Sequence, residues 1–356
     1  MSDKRFMAVS PCAVIPEALP EFRIYFRSSE GKYILWALEG KKVSADQLTK
    51  LTEGGLTEVF VDIKDQFKYE QYLETNLGSI LENQSASNDQ KATIFSSVST
   101  NVVKNAFETS LGLGAMGADV MQRTQTMVKN ALIFISESKS LHALAKMVGH
   151  DYQTYEHATK VLWFTVSFLN SSPDILEKIQ PGYQALNEER KKEVVRLCGV
   201  GAILHDIGKA FISKEILHKE GRLTEVELEV VKRHPLNGLA MLLETDLPEF
   251  VKKGILHHHE DFNGGGYPMG LVGLNISILA RVLRIIDTFD AMTSRRPYKG
   301  PVTPRKTMQI MCGKPVVNGG TDDPEQDARD QGMMLCFDED LLRKFIVFLG
   351  EVKLDR

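Results

Sequence analysis

The chain has 356 residues, 43% hydrophobic and 25% charged, with a formal net charge of −4. This is the composition of a soluble globular protein of about two domains, long enough to bury a core without a disulfide or metal staple. The slight acidity argues against a broadly basic surface for duplex nucleic acid or anionic membrane, while leaving room for a local basic pocket. The first twelve residues (MSDKRFMAVSPC) hold two basic residues with no apolar run behind them, so no secretory signal is expected. Cysteines at 12, 198, 312 and 336 show no C-x-x-C spacing, which reads as a reducing compartment; the chain is read as cytoplasmic.

Residues 1–82 read as a small α/β regulatory domain. Phe22, Ile24 and Phe26 alternate with polar neighbours, Ser28-Ser29-Glu30-Gly31 supplies a turn, and Tyr33 to Leu38 forms a second apolar run, which together predict a hairpin. Ser44 and Gln47 have the spacing of a capping box that opens a short helix carrying Leu48 and Leu51. Val59, Val61 and Ile63 predict a third strand, and Tyr69 to Leu81 a further helix. Residues 83–92 are polar and read as a linker.

From 93 to 356 the pattern is helical, with leading helices over 93–145. Val98, Val102, Val103, Ala106 and Phe107 follow a 3.6 period, as do Val120, Thr124, Met127, Val128, Ala131 and Ile135. Glycines at 112, 114 and 117 should break the path between them. The longest strongly apolar stretch, Val161 to Leu169, is about half of the ~20 residues needed to span a bilayer, so no membrane span is expected. Residues 313–332, rich in Gly, Pro and Asp, read as a long loop.

Five of the nine histidines stand in contexts that could build a metal site: His157, His205, His234, His258 and His259. Asp206 follows His205 at the end of an apolar run (GVGAILHDIGK), where a buried carboxylate would be costly without a cation. Asp287 lies in the helical run ARVLRIIDTFDAM. Imidazole plus carboxylate suits iron, manganese or zinc rather than calcium. Seven such ligands exceed the needs of one tetrahedral zinc, so two metals ~3.5–4 Å apart, as in metal-assisted phosphoester hydrolysis, are the economical reading. Neighbours on a helix stand ~100° apart, so His258 and His259 can face one metal only near a helix end, which the glycines after them would supply. A lone histidine is more often a packing residue; it is the grouping that points to ligation.

These segments together resemble an HD-GYP domain: His205-Asp206-Ile207-Gly208-Lys209, then Lys232-Arg233-His234-Pro235, then His258-His259-Glu260 through Asn263-Gly264-Gly265-Gly266-Tyr267-Pro268, and Arg281 to Lys299 with Asp287-Thr288-Phe289-Asp290-Ala291 and Arg296-Pro297-Tyr298-Lys299. The resemblance covers roughly residues 145–312. It implies a mainly α protein: an all-helical HD-GYP metal-dependent phosphohydrolase domain behind the small α/β domain, active in bacterial signalling through hydrolysis of cyclic di-GMP to linear pGpG and on to GMP. It further implies His157, His205, Asp206, His234, His258, His259 and Asp287 as metal ligands, with Asp206 bridging two ions, commonly iron in this family. Lys209 is implied at the scissile phosphate, beside Asp206 as the other catalytic residue. Arg296 and Lys299 are implied at the substrate phosphates, a role suited to charge-assisted bonds. Gly266, Tyr267 and Pro268 shape substrate access or meet a GGDEF-type signalling partner; any tight turn would also use such glycines.

The match departs from the family at Gln153, where members usually have Tyr or Glu four residues before the first ligand. A neutral amide is a poor ligand, so two metals are favoured over three. Two readings therefore stand: a dinuclear phosphodiesterase, or a metal-loaded receptor that binds a cyclic dinucleotide and signals through the N-terminal domain without turnover. Another cyclic dinucleotide as substrate is a third.

Overall fold

The computed structural model describes residues 5–16, 18, 20–44, 46–48, 58–136, 154–217, 219, 221–294, 301–313 and 333–352. The fold is mainly α, with a small four-stranded sheet near the N-terminus. It divides into two compact units, Met1–Asn101 and Val102–Arg356.

In the first unit the strands β1 (Phe6–Val9), β2 (Ile24–Arg27), β3 (Tyr33–Ala37) and β4 (Val59–Asp62) form one antiparallel sheet in the order β1-β4-β2-β3. The expected hairpin is β2–β3, and the expected third strand is β4, inserted between β2 and β1. Ile63 lies just past β4 in a short 3-10 turn and is exposed, so the strand ends one residue earlier than the alternation suggests. β1 was not apparent from the sequence. Ile24, Val59 and Val61 fill the buried face, and Phe22 meets the rings of Tyr69 and Tyr72 edge-on at 5.5 and 5.4 Å. Those tyrosines belong to α1 (Gln66–Thr75); α2 (Leu77–Glu82) follows after Asn76, so the single helix expected over 69–81 is two. Ser44 and Gln47 make the reciprocal bonds of a capping box, at 2.9 and 3.2 Å, while Leu51 lies outside the described residues.

The expected linker over 83–92 differs from what is found. Asn88 opens α3 (Asn88–Leu113), within which the division between the units falls. Ser87 and Gln90 bond each other's backbone N–H groups at 2.9 and 3.2 Å, a capping box written in the polar residues that suggested a linker. Between the end of α3 and the start of α4 (Ala118–Ser136) lie Gly114 and Gly117, two of the three glycines expected to separate them; Gly112 differs, falling within the last turn of α3. The expected leading helices beyond residue 136, and the loop 313–332 from residue 314 on, lie outside the described residues.

The second unit continues with α5 (Thr154–Asn170), α6 (Pro173–Ile179), α7 (Glu188–Leu204), α8 (Lys214–Leu217), α9 (Glu225–Lys232), α10 (His234–Leu242), α11 (Glu249–His257), α12 (Ile278–Thr293), α13 (Pro304–Cys312) and α14 (Glu339–Val352). The apolar stretch Val161 to Leu169 is the middle of α5, packed against α4, α7 and α12. A helix that is apolar all round is one buried all round, which accounts for the composition of this segment. Among the described residues no helix is long and apolar enough to cross a membrane. Phe164 and Phe168 of α5, Phe289 of α12 and Phe345 of α14 form an aromatic knot with ring centres 5.4–6.3 Å apart, fastening the last helix to the core. At the other end of α5, facing α7 and α12, stand the polar residues of the candidate centre.

Candidate metal centre

The local chain path brings the ligating residue types together. Asn187 caps α7, its Oδ1 accepting from the Arg190 N–H at 2.9 Å. The helix then runs inward through a fully buried stretch from Cys198 to Leu204 and stops, delivering His205 and Asp206 into the interior. A 3-10 turn, Ile207–Phe211, carries the chain away. A Cβ on Gly208 would lie 2.0 Å from the His234 carbonyl oxygen and 2.4 Å from the Gly238 nitrogen, so only glycine lets this turn rest on the start of α10. That contact brings His234, the first residue of α10, onto Asp206: Nε2 to Oδ1 is 3.1 Å. Lys209 stands in the 3-10 turn, where three residues complete a turn and set Nζ 2.6 Å from Asp206 Oδ2.

α11 ends at His257, and the two following histidines turn inward. His258 Nε2 lies 3.1 Å from His234 Nε2 and 3.8 Å from Asp206 Oδ1. His259 approaches Asp287 Oδ2 through Nδ1, at 3.8 Å. His257 faces away, its Nδ1 accepting from the Ser277 N–H at 3.4 Å, a packing role. From α5, His157 Nε2 is 3.0 Å from Asp287 Oδ1 and 3.9 Å from Asp206 Oδ2; His205 Nε2 is 3.4 Å from Asp206 Oδ2.

Two groups result: Asp206, His234, His258 and His259, and His157, His205 and Asp287, the donor atoms of each lying within 4.8 Å of one another. Three imidazoles share one device. The Nδ1–H groups of His205, His234 and His258 donate to the carbonyls of Ala202, Val231 and Ile255, at 2.7, 2.7 and 2.6 Å, which directs each Nε2 lone pair to the centre. His157 instead donates Nδ1–H to the buried Asp290 carboxylate at 2.7 Å. His205 Nε2 is buried without a hydrogen-bond partner.

The electrostatics suit cation binding. Burial pushes His258 down to about 4 and His259 well below the usual imidazole range, so both are neutral donors at neutral pH. Burial alone would raise Asp206, but Lys209 and His205 outweigh it and hold the carboxyl well below its usual range; for Asp287, His157 does the same. Buried imidazoles with inward lone pairs, two ionised carboxylates and no thiolate form a donor set for divalent metal. Asp206 belongs to the first group and turns its other oxygen, Oδ2, toward His205 and His157 of the second, so it has the shape of a bridge.

The glycine-rich segment lies over this centre. Tyr267 stacks on His259 with ring centres 4.8 Å apart, and a Cβ on Gly266 would meet the Asp261 nitrogen at 2.1 Å, so Gly266 serves a close approach as well as a turn. Pro268 follows in the same loop. Glu260 was quoted in the sequence pattern without a role; here its buried carboxylate accepts the N–H groups of Met269 and Leu271 at 2.6 and 2.8 Å and anchors the loop. Arg284 donates Nε–H to Asp261 at 2.9 Å and Nη1–H to the Thr288 hydroxyl at 2.8 Å. Asp290, Lys160 and Ser294, behind His157, were also missed. Helical spacing held the signal, since His157 and Lys160, like Asp287 and Asp290, stand three apart on one helix face. Arg296, Lys299 and Gln153 lie outside the described residues.

Comparison with known proteins is consistent with this geometry. Residues 174–314 match the family model described as HD domain, a range that holds six of the seven clustered residues and begins after His157. The cyclic di-GMP phosphodiesterase PA4108 of Pseudomonas aeruginosa is 38% identical over 161 residues, 45% of this chain and 35% of that protein. The cyclic di-GMP phosphodiesterase response regulator RpfG of Xanthomonas campestris is 46% identical over 111 residues, 30% of this chain and 29% of that protein. The 3'3'-cGAMP-specific phosphodiesterase 1 of Vibrio cholerae is 36% identical over 134 residues, 36% of this chain and 30% of that protein. The chain thus spans about a third of the length of the curated relatives it matches. Among solved structures, Bd1817, an HDG"Y"P protein from Bdellovibrio bacteriovorus, has a TM-score of 0.56 at 14% identity, covering 97% of this chain and 99% of that one, a likeness of fold.

Proposed function

We propose, from the premise that this chain belongs to the HD-GYP family, that it is a dinuclear-metal phosphodiesterase that hydrolyses cyclic di-GMP to linear pGpG and on to GMP. One observation carries the reading. Asp206 turns Oδ1 to His234 and His258, at 3.1 and 3.8 Å, and Oδ2 to His205 and His157, at 3.4 and 3.9 Å. A single buried carboxylate between two imidazole pairs is what a pair of bridged ions needs.

In this reading Asp206, His234, His258 and His259 would hold one ion and His157, His205 and Asp287 the other, with Asp206 facing both. The ions are iron by resemblance, with manganese and zinc suited to the same donors. When bound they supply Lewis acidity toward the phosphodiester and its attacking water. The protein's own groups do the rest. The Lys209 ammonium, beside Asp206, meets the scissile phosphate and offsets charge developing on its oxygens. The N–H bonds to Ala202, Val231 and Ile255 keep three imidazoles oriented without reorganisation. Tyr267, stacked on His259, walls the approach, with Gly266 and Pro268 shaping it. Arg296 and Lys299 hold the substrate's phosphates. The loop that carries the exposed Met269, Val272 and Leu274 is the surface for a GGDEF-type partner. All four cysteines are free thiols, which supports a cytoplasmic setting.

The second reading, a metal-loaded receptor without turnover, is favoured by Gln153, which brings no charge where the family commonly has Glu or an ordering hydroxyl where it has Tyr. The test is turnover of cyclic di-GMP and 3'3'-cGAMP by purified protein loaded with iron or manganese, followed by chromatography of the products. Release of pGpG supports the enzyme. Tight binding with no linear product over hours, in protein holding two ions per chain, would establish the receptor, and preference for cGAMP would reassign the substrate.

A further inference from the structure

Behind His157, on the side away from the two clusters, lies a polar chain that the proposed chemistry does not use. Asp290 is fully buried, and a carboxylate in such a place is costly unless it is compensated. Its Oδ2 receives His157 Nδ1–H at 2.7 Å, and the Ser294 hydroxyl lies 3.2 Å from each of its oxygens. The ammonium of Lys160, itself only 2% exposed, donates to that same hydroxyl at 3.0 Å and stands 4.0 Å from Asp290 Oδ1. The direction of the chain follows from donor count. Lys160 has no acceptor, so the Ser294 oxygen receives from it and the single hydroxyl proton is left for Asp290. The carboxylate in turn receives the imidazole N–H. Two helices suffice to build it: His157 and Lys160 lie one turn apart on α5, and Asp290 and Ser294 one turn apart at the end of α12.

We propose that Lys160, acting through Ser294 and Asp290, is a positioning residue for His157, and that it selectively tunes metal affinity at the His157–His205–Asp287 cluster. The inference rests on reading the two clusters as metal sites. The contrast between clusters is what singles out Lys160. His205, His234 and His258 are oriented by neutral backbone carbonyls on their own chain segments, a support that no distant residue can alter. His157 is oriented by a charged side chain from another helix, whose own place depends on a buried cation and a hydroxyl. A carboxylate behind an imidazole raises its strength as a ligand, and loss of such outer partners commonly costs 10–100-fold in metal affinity.

The test is manganese stoichiometry and affinity, by elemental analysis and calorimetric titration of the chelator-stripped 356-residue chain, alongside thermal unfolding. Wild type is expected to take up two ions per chain. Lys160→Met, which keeps the length and apolar stem, should bind one ion as wild type does and the other at least tenfold more weakly. Ser294→Ala should weaken the same ion, Ser294→Thr should retain it, and Lys160→Met combined with His234→Ala should weaken both. Unchanged affinities in Lys160→Met and Ser294→Ala would overturn the proposal. So would equal weakening of both ions together with a lowered melting temperature, because Lys160 would then be merely structural. If Lys160→Met does not fold, the Ser294→Ala and Ser294→Thr pair decides alone. A wild type that takes up fewer than two ions refutes the two-cluster reading itself, and the proposal with it.

Discussion

Glu260 offers the sharpest test of how the loop over the centre is held. Its carboxylate is buried and accepts two backbone N–H groups, from Met269 at 2.6 Å and Leu271 at 2.8 Å. Hydrogen bonds to a charged group contribute about 1.5–3 kcal/mol each, so Glu260→Ala should release about 3–6 kcal/mol of loop anchoring. At about 1.4 kcal/mol per decade, the amides of Met269 and Leu271 should then exchange roughly 10²–10⁴ times faster than in wild type. Glu260→Gln keeps one acceptor and turns an NH2 toward the other amide, so at least one bond is lost and the effect falls between the two. Amide hydrogen exchange read by mass spectrometry or NMR measures this directly, with the amides of α12 as the internal reference. If exchange at Met269 and Leu271 in Glu260→Ala stays within threefold of wild type, the carboxylate does not anchor the loop. The reasoning from its two bonds would then be wrong.

Asp206→Ala should abolish binding of both ions rather than one, because its oxygens face both clusters; elemental analysis that finds one ion retained at full occupancy would contradict the bridge. Gly208→Ala should lower stability by at least about 3 kcal/mol, the top of the usual overpacking range, since the new methyl meets only backbone; a wild-type denaturation midpoint would refute the close approach. The metal-free protein should lose stability as pH falls. His258 titrates at about 4 when folded against 6.5 as a free group, so between these values the unfolded chain binds more protons and acid favours unfolding. The depressed carboxyls of Asp206 and Asp287 extend that loss to lower pH, and a melting temperature that is flat or rising from pH 6.5 down to 4 would exclude this assignment.

What was legible in the sequence followed local rules. The β2–β3 hairpin and the helices of the second unit announce themselves by periodicity, and the ligating residues by the density of His and Asp in a few short segments. What was not legible depends on partners distant in the chain. β1 has the sequence FMAV, with no alternation, and becomes a strand because β4, more than fifty residues on, offers it an edge. The polar run at 83–92 looked like a linker since capping residues and linker residues are the same types; only the Ser87–Gln90 pairing tells them apart. Lys160 and Ser294 were invisible for a different reason: on a helix a lysine reads as surface, and its burial is a property of how α5 meets α12.

Ala202, Val231 and Ile255 each lie in the last turn of a helix, where carbonyls have no partner within the helix. The imidazole that follows donates to each of these carbonyls, so His205, His234 and His258 help to cap the ends of α7, α9 and α11 as well as being candidate ligands. Folding therefore orients these rings before any ion arrives, and the strength of the centre is drawn partly from secondary structure. It also means that an alanine at any of the three removes a cap along with a ligand. Loss of metal binding in such a variant would mix two effects, which a comparison of metal-free stabilities can separate.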